Sequence, residues 1–214
     1  IAALAVPTII SQLITVIYNM ADTFFIGQMG DPNQVAAATV MMPLFMLMTA
    51  ISNLFGIGGA SLFSRLLGEG NREKARRCAA FCIWTAMGVA LLYGLAVLVL
   101  RQRLLPVLGA DEIVLPYSSK YLLWTVVIGA VPTVLGPMLA HLIRAQGNAR
   151  QASFGIAFGG VLNIILDPIF IFVLRLEIVG AAVATLISNT AAVLDFISFL
   201  RRNGADGVIS LSPG

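Results

Sequence analysis

The sequence has 214 residues, of which 59% are hydrophobic and only 11% are charged, and its mean hydropathy is +0.95. Soluble domains carry about 25% charged and roughly 45–50% apolar residues, so this composition excludes a soluble enzyme, a disordered chain and a nucleic-acid-binding protein. The formal net charge of +3 is small, and the placement of the charges indicates membrane topology instead of a polyanionic partner.

Turn-forming residues divide the chain into apolar segments long enough to span a bilayer. We predict an all-α membrane protein, because the bilayer offers no partner for an unpaired backbone group. The expected spans are residues 1–26, 34–66, 79–100, 121–142, 154–174 and 181–200. Residues 101–117 contain Pro106 and Gly109 and predict a short interfacial helix with turns, while residues 203–214 predict the start of a linker.

The basic residues are distributed unevenly between the two predicted sides of the membrane. Four lie on one side: Arg101, Arg103, Lys120 and Arg175. The other nine lie opposite: Arg65, Arg72, Lys74, Arg76, Arg77, Arg144, Arg150, Arg201 and Arg202. Cytoplasmic loops carry the excess of Lys and Arg, so we expect both termini in the cytoplasm, in a plasma membrane or a bacterial inner membrane.

Two carboxylates lie inside predicted spans, Asp22 in the first and Asp167 in the fifth. An ionised Asp at a helix centre costs ~2.5–3.5 kcal/mol on insertion scales, so such residues usually have a function. Neither has a Lys or Arg in its own span. The remaining ways to retain such a group are protonation, a bound cation or a polar cavity; a carboxyl that only hydrogen-bonds a neighbouring helix is the structural alternative.

Polar neighbours at helical spacing accompany both carboxylates. Tyr18 precedes Asp22 by four residues, and Asn163 precedes Asp167 by four, so each pair shares a helix face. Thr185 and Asn189 form a similar pair in the sixth span. Oxygen ligands of these kinds suit a proton or a hard cation such as sodium, although polar pairs also join membrane helices without any ligand.

Three further residues are weaker candidates. Pro7 lies 15 residues before Asp22, where it permits a helix kink or is simply tolerated in a membrane helix. Met41 and Met46 belong to a methionine-rich stretch whose adaptable side chains suit a promiscuous apolar cavity, although ordinary packing or lipid contact explains them as well.

Four motifs, in order and at matching spacing over nearly the whole chain, resemble those of the multidrug and toxic compound extrusion (MATE) transporters. They are YNMADTFFIG from Tyr18 to Gly27, SRLLGEG from Ser64 to Gly70, RAQGN from Arg144 to Asn148, and GAAVATLISN from Gly180 to Asn189. The resemblance implies one six-helix lobe, the N-terminal one, of a twelve-helix transporter whose two lobes surround a shared cavity.

The resemblance also implies an activity: export of drugs or organic cations in exchange for protons or sodium, with no cofactor beyond the coupling ion. The family pattern assigns the cation site to Asp22, Asn163, Asp167 and Thr185. Tyr18 matches a supporting tyrosine and Pro7 a proline associated with helix bending. The implied partners are membrane lipid, small organic cations, and a second six-helix lobe or another copy of the chain.

Several alternatives remain open. A lipid-linked sugar flippase of the same superfamily is expected to place more cationic residues in its cavity than these spans contain. An intramembrane aspartyl protease also needs two membrane Asp residues, but the expected Gly-x-Gly-Asp context is missing, since Asp167 lies in Leu-Asp-Pro. A six-helix half can also serve only as an assembly unit, without transport of its own. Substrate identity and the choice between proton and sodium do not follow from the sequence.

Overall fold

A computed structural model describes residues 2–202 and Ile209, so the expected linker lies, apart from Ile209, outside the described residues. The described part of the chain is helical almost throughout and contains no strand. Five of its helices are long and apolar enough to cross a membrane, and a bent pair raises the number to six when it is counted as one span. The fold class is therefore all-α.

The first two predicted spans contain three helices. Helix α1 (Ala2–Gln28) is followed by α2 (Pro32–Val40), which Asp31 caps by accepting a hydrogen bond from a backbone N–H of the first turn at 2.9 Å. Helix α3 (Met42–Gly68) begins after a break. Together α2 and α3 form one segment of membrane-spanning length, Pro32–Gly68. The irregularity at Met41 has a local cause, because Pro43 has no N–H to donate and its ring clashes with the carbonyl four residues earlier.

Helix α4 (Arg72–Val107) is longer than the sequence predicted. Asn71 caps its beginning by accepting a backbone hydrogen bond at 3.1 Å. The interfacial helix expected over 101–117 is wrong in its position, because α4 continues past its last arginines and α5 (Leu115–Leu122) starts only after a turn. Arg side chains extend toward the membrane surface and so allow a helix to continue, and Pro106 is tolerated one residue before the helix ends.

The fourth span is bent by 49°. Its first part continues from α5 into a π-helical segment, Leu123–Ile128, and its second part is α6 (Ala130–Ala145). The bend falls at Gly129, whose N–H donates to the carbonyl five residues earlier at 3.0 Å. Pro132 follows and removes another regular helical hydrogen bond, so proline and the π segment together explain the bend.

The last two spans form an antiparallel pair. Helix α7 (Ala149–Pro168) continues into a second π-helical segment, Ile169–Val173, and α8 (Glu177–Arg202) follows a short turn. The turn is strained, because Arg175 and the first residue of α8 both have positive φ, 52° and 53°, a region that residues other than Gly rarely adopt.

Helix α6 lies at the centre and contacts α3, α4, α7 and α8, whereas α1 packs mainly on α7. A buried hydroxyl joins two of these helices: Ser52 on α3 donates to the carbonyl of Val134 on α6 at 2.9 Å. Large fully buried side chains fill the spaces between helices α3, α6 and α8, namely Met48, Phe63, Met138, Leu142 and Phe196.

The surface of the bundle is strongly apolar. On α4, Leu92 is 68% exposed and Val99 is 72% exposed. Exposed apolar area of this extent is unusual for a soluble monomer, but lipid tails cover it at little cost. The surface therefore fits a helix bundle that is immersed in a bilayer.

Glycines allow α7 to approach its neighbours closely. A methyl group at Gly155 would overlap the ring of Phe196 on α8, and one at Gly159 would lie 3.1 Å from the side chain of Ala192. On the opposite face of α7, a methyl at Gly160 would lie 3.0 Å from the ring of Tyr18. Small residues serve the same purpose in membrane bundles generally, and here they hold α1 and α8 on either side of α7.

Candidate functional site

Three of the predicted site residues are joined by hydrogen bonds between α7 and α8. The amide of Asn163 donates to the carboxylate of Asp167 at 3.1 Å, and the Asn163 amide also lies 3.4 Å from the hydroxyl of Thr185, to which it donates. Asn163 is 3% exposed and Asp167 is 0% exposed. The four-residue spacing on α7 places both side chains on the face that meets α8.

Asp22 faces this cluster from α1. The carboxylates of Asp22 and Asp167 lie close enough to interact electrostatically. Like charges in a medium of low dielectric repel strongly, so two ionised carboxylates at this location need a proton or a cation to compensate them. The part of the chain that the structure describes supplies no ion pair to either carboxylate; the ion pair found there joins Glu73 and Arg77 on the surface.

Several oxygens of the cluster are buried without a hydrogen-bond partner. They are Oδ1 of Asp22, Oδ1 of Asn163 and Oδ2 of Asp167. Buried polar atoms in proteins are almost always hydrogen-bonded, and each exception calls for an explanation. Three acceptors without donors, contributed by two helices, make an acceptor-rich site that suits a proton or a hard cation.

Two tyrosines border the carboxylates. Tyr18 lies one turn before Asp22 and interacts with its charge, while its ring packs on Gly160 of α7. Tyr121 on α5 is 3% exposed and lies within electrostatic range of both Asp22 and Asp167. Sequence analysis missed Tyr121, although its four-residue spacing to Thr125 repeats the polar pattern seen on α7 and α8. The backbone carbonyl of Tyr121 accepts a hydrogen bond from that threonine at 2.7 Å.

The remaining predicted residues lie elsewhere. The amide of Asn189 donates to the hydroxyl of Thr133 on α6 at 3.0 Å, so Asn189 joins α8 to α6 and not to the carboxylate cluster. Pro7 lies within α1, and its side chain is not among those that the structure describes.

The two candidate cavity methionines have opposite environments. Met46 is 70% exposed, as a residue lining an open cavity requires, whereas Met41 is 0% exposed and belongs to the core. The assignment of Met41 to the cavity is therefore wrong. Met41 lies at the junction of α2 and α3, whereas Met46 lies on α3. Five residues of helix turn two side chains about 140° apart, so the methionine-rich stretch does not form one face.

The side chains of the cluster are of kinds that bind ions. Two carboxylates, an amide oxygen and a hydroxyl are hard oxygen ligands. No group of three or more His, Cys, Asp or Glu that could hold a metal ion occurs among the described residues. Groups of this kind have the chemistry that a proton or a small cation needs.

The chain matches known proteins over nearly its whole length. The MatE family model matches residues 7–169. The multidrug export protein MepA of Staphylococcus aureus is 34% identical over 199 residues, which are 93% of this chain and 44% of that protein. MepA of Staphylococcus saprophyticus is 34% identical over 208 residues, which are 97% of this chain and 46% of that protein. The chain thus spans about half the length of the curated relatives that it matches.

Solved structures agree with the sequence matches. The MATE transporter VcmN of Vibrio cholerae, in a bent form, superimposes with a TM-score of 0.90 at 30% identity, covering 98% of this chain and 47% of that one. A MOP superfamily transporter of Pyrococcus furiosus gives a TM-score of 0.89 at 27% identity, covering 98% of this chain and 46% of that one. From its fold and these relatives, the chain belongs to the MATE family of membrane transporters.

Proposed function

We propose that this chain is the N-terminal lobe of an antiporter that exports drugs or organic cations in exchange for protons or sodium. The observation that carries the proposal is the set of buried oxygens without hydrogen-bond partners on Asp22, Asn163 and Asp167. Such groups are costly inside a membrane protein unless they bind something. Relatives named as multidrug export proteins support an efflux activity.

The coupling step uses the two carboxylates. Binding of a proton or a sodium ion neutralises the repulsion between Asp22 and Asp167, and release restores it. Because Asp22 lies on α1 while Asp167 lies on α7, a change in their charge alters the force between these helices. Only an interaction that differs between two conformations can shift the balance between them, and this helix pair provides such an interaction.

The second lobe is the main partner in this proposal. Helix α1 contacts α7 on one side and exposes an apolar face on the other, including Leu13, Val16, Met20 and Phe24, all at least half exposed. A groove on the same face is lined partly by the polar side chains of Asn19 and Thr23. A cavity between two lobes explains why polar and apolar side chains share this surface, since alternating access requires two bundles around one site.

Orientation and membrane are part of the same proposal. The excess of basic residues on one side of the spans supports cytoplasmic termini. The bacterial relatives support a location in a bacterial inner membrane, with membrane lipid around the apolar surface. The relatives are transporters, and we assign no enzymatic reaction to the site.

Substitution of each carboxylate by its amide tests the proposal. In the complete transporter, Asp22→Asn and Asp167→Asn each keep the side-chain shape but cannot change charge. We expect each to reduce proton- or sodium-driven efflux from proteoliposomes about a hundredfold or more, with unchanged membrane insertion. Asp111→Asn is the matched control, because Asp111 is exposed outside the spans. Its Oδ1 accepts hydrogen bonds from the backbone N–H groups of Ile113 and Val114 in the turn before α5, and the side-chain oxygen of Asn can accept them too.

The results separate the competing functions. Ion-driven efflux that survives both amide substitutions contradicts the proposed coupling site. Transport of a lipid-linked sugar by the same vesicles, without any drug efflux, points to a flippase. Coupled efflux by this chain alone, as a stable monomer in liposomes, contradicts the proposal that a second lobe is required.

A further inference from the structure

A buried glutamine connects α2, near the beginning of the lobe, with α8, its last helix. The side-chain oxygen of Gln34, on α2, accepts a hydrogen bond from the backbone N–H of Ile178 in the first turn of α8 at 3.0 Å. The two residues are 144 positions apart in the chain. Gln34 is 4% exposed and Ile178 is 1% exposed, so water does not compete for this bond.

The bond satisfies a group that α8 does not satisfy locally. The first N–H groups of a helix have no partner within the helix, and a side chain just before the helix usually accepts one of them. Here Arg175 in the preceding turn and Glu177, the first residue of α8, have positive φ, a backbone shape unlike the extended conformation of an ordinary capping residue. Gln34 therefore acts as the cap of α8 from a different part of the fold.

The same glutamine also contacts the corner between α1 and α2. Its amide nitrogen donates to Oδ2 of Asp31 at 3.4 Å, while Oδ1 of Asp31 accepts the N–H of Asn33 at 2.9 Å. Two residues, Met29 and Gly30, separate Asp31 from the end of α1. The carboxamide of Gln34 thus links the end of α1 to the beginning of α8 with both of its polar atoms.

The linked ends belong to the helices that carry the carboxylate cluster. Thr185 lies two turns after Ile178 on α8, and Asp22 lies less than two turns before the end of α1. The backbone of Gly180 packs so closely on the π-helical segment after Asp167 that a methyl group there would lie 2.7 Å from the Phe170 carbonyl carbon. The first turn of α8 is therefore held from two sides.

From this geometry we infer that Gln34 is a positioning residue for the cation site. By capping α8 and holding the α1–α2 corner, it fixes the distance at which Thr185 and Asn163 meet, and it couples any movement of the end of α1 to α8. The role in ion affinity rests on the proposed function, whereas the capping role does not.

Hydrogen–deuterium exchange of the purified protein in nanodiscs tests the capping role without any transport measurement. Gln34→Leu keeps the approximate size but offers no acceptor, so we expect exchange at residues 174–182 to accelerate about tenfold. Gln34→Glu keeps the acceptor oxygen for Ile178 but loses the donor to Asp31, so exchange should rise less than in Gln34→Leu. Gln102→Leu is the matched control, because Gln102 is an exposed glutamine on α4. Unchanged exchange in Gln34→Leu overturns the inference.

Ion dependence of efflux by the complete transporter tests the positioning role. For Gln34→Leu we expect the half-saturating sodium or proton concentration to change about threefold or more, with a smaller change in maximal rate. Faster exchange combined with an unaltered half-saturating concentration overturns the positioning role and leaves a structural cap only. Absence of ion dependence in the unmodified transporter contradicts the proposed function, and the exchange measurement then still decides the capping role.

Discussion

Alanine at Gly155 is expected to destabilise the lobe, although alanine normally favours a helix. A methyl group at this position would lie 2.6 Å from the Cζ atom of Phe196, and that residue is 0% exposed. Overpacking of this kind costs about 1–3 kcal/mol, while Gly→Ala in a helix interior contributes about 1 kcal/mol of stability. The net effect is a loss of about 0–2 kcal/mol in the free energy of unfolding, obtained by subtracting the second figure from the first.

Gly88 on α4 provides the matched control, because a methyl group there meets no atom within 4 Å. Gly88→Ala should therefore stabilise the protein by up to about 1 kcal/mol. Unfolding in mixed detergent micelles, followed by circular dichroism, measures both variants. A second substitution, Phe196→Leu, should remove most of the penalty at Gly155, since it removes the ring that the methyl overlaps. Equal stability of the two alanine variants would refute the packing explanation.

Three further outcomes follow from individual contacts. Ser52→Ala removes the donor to the buried Val134 carbonyl and should lower the free energy of unfolding by about 1–3 kcal/mol, measured in the same micelles; no loss would show that the bond is not formed. Asn163→Ala removes the donor to Asp167 and should change the half-saturating ion concentration for efflux about tenfold or more, as loss of a hydrogen bond to a charged group implies; an unchanged value would contradict the assignment. Tyr121→Phe keeps the buried ring but removes a hydroxyl close to both carboxylates, and we expect altered ion dependence with unchanged thermal stability; loss of stability without a change in ion dependence would make Tyr121 a packing residue.

Apolar helices and membrane carboxylates were predictable because the bilayer restricts both. A chain can cross lipid only with its backbone hydrogen bonds satisfied, so apolar segments between turn-forming residues located the helical spans. Carboxylates are rare at that depth, which marked Asp22 and Asp167. The structure brings Asn163 and Thr185 together with Asp167, while their role in binding an ion stays a prediction.

The missed features depend on contacts between distant segments. Tyr121 lies near the carboxylates through the packing of α5 on other helices, and helical periodicity contains no information on that packing. Asn189 has the spacing of a site residue, but its partner is Thr133, since spacing on one helix does not identify the neighbouring helix. Met41 was assigned to a cavity from the methionine-rich composition of its stretch, and composition does not show which of those side chains the core buries.

The π-helical segment at Ile169–Val173 determines where the lobe tolerates a change in chain length. A π-helical turn contains more residues than an α-helical turn, so removal of one residue there can produce a regular α-helix. Asn163 and Asp167 precede the segment and keep their register after such a deletion. One residue removed from α7 before Asn163 instead rotates both side chains by about 100° and directs them away from Thr185. A scan of single-residue deletions along residues 149–173 should therefore retain expression and activity only toward its end.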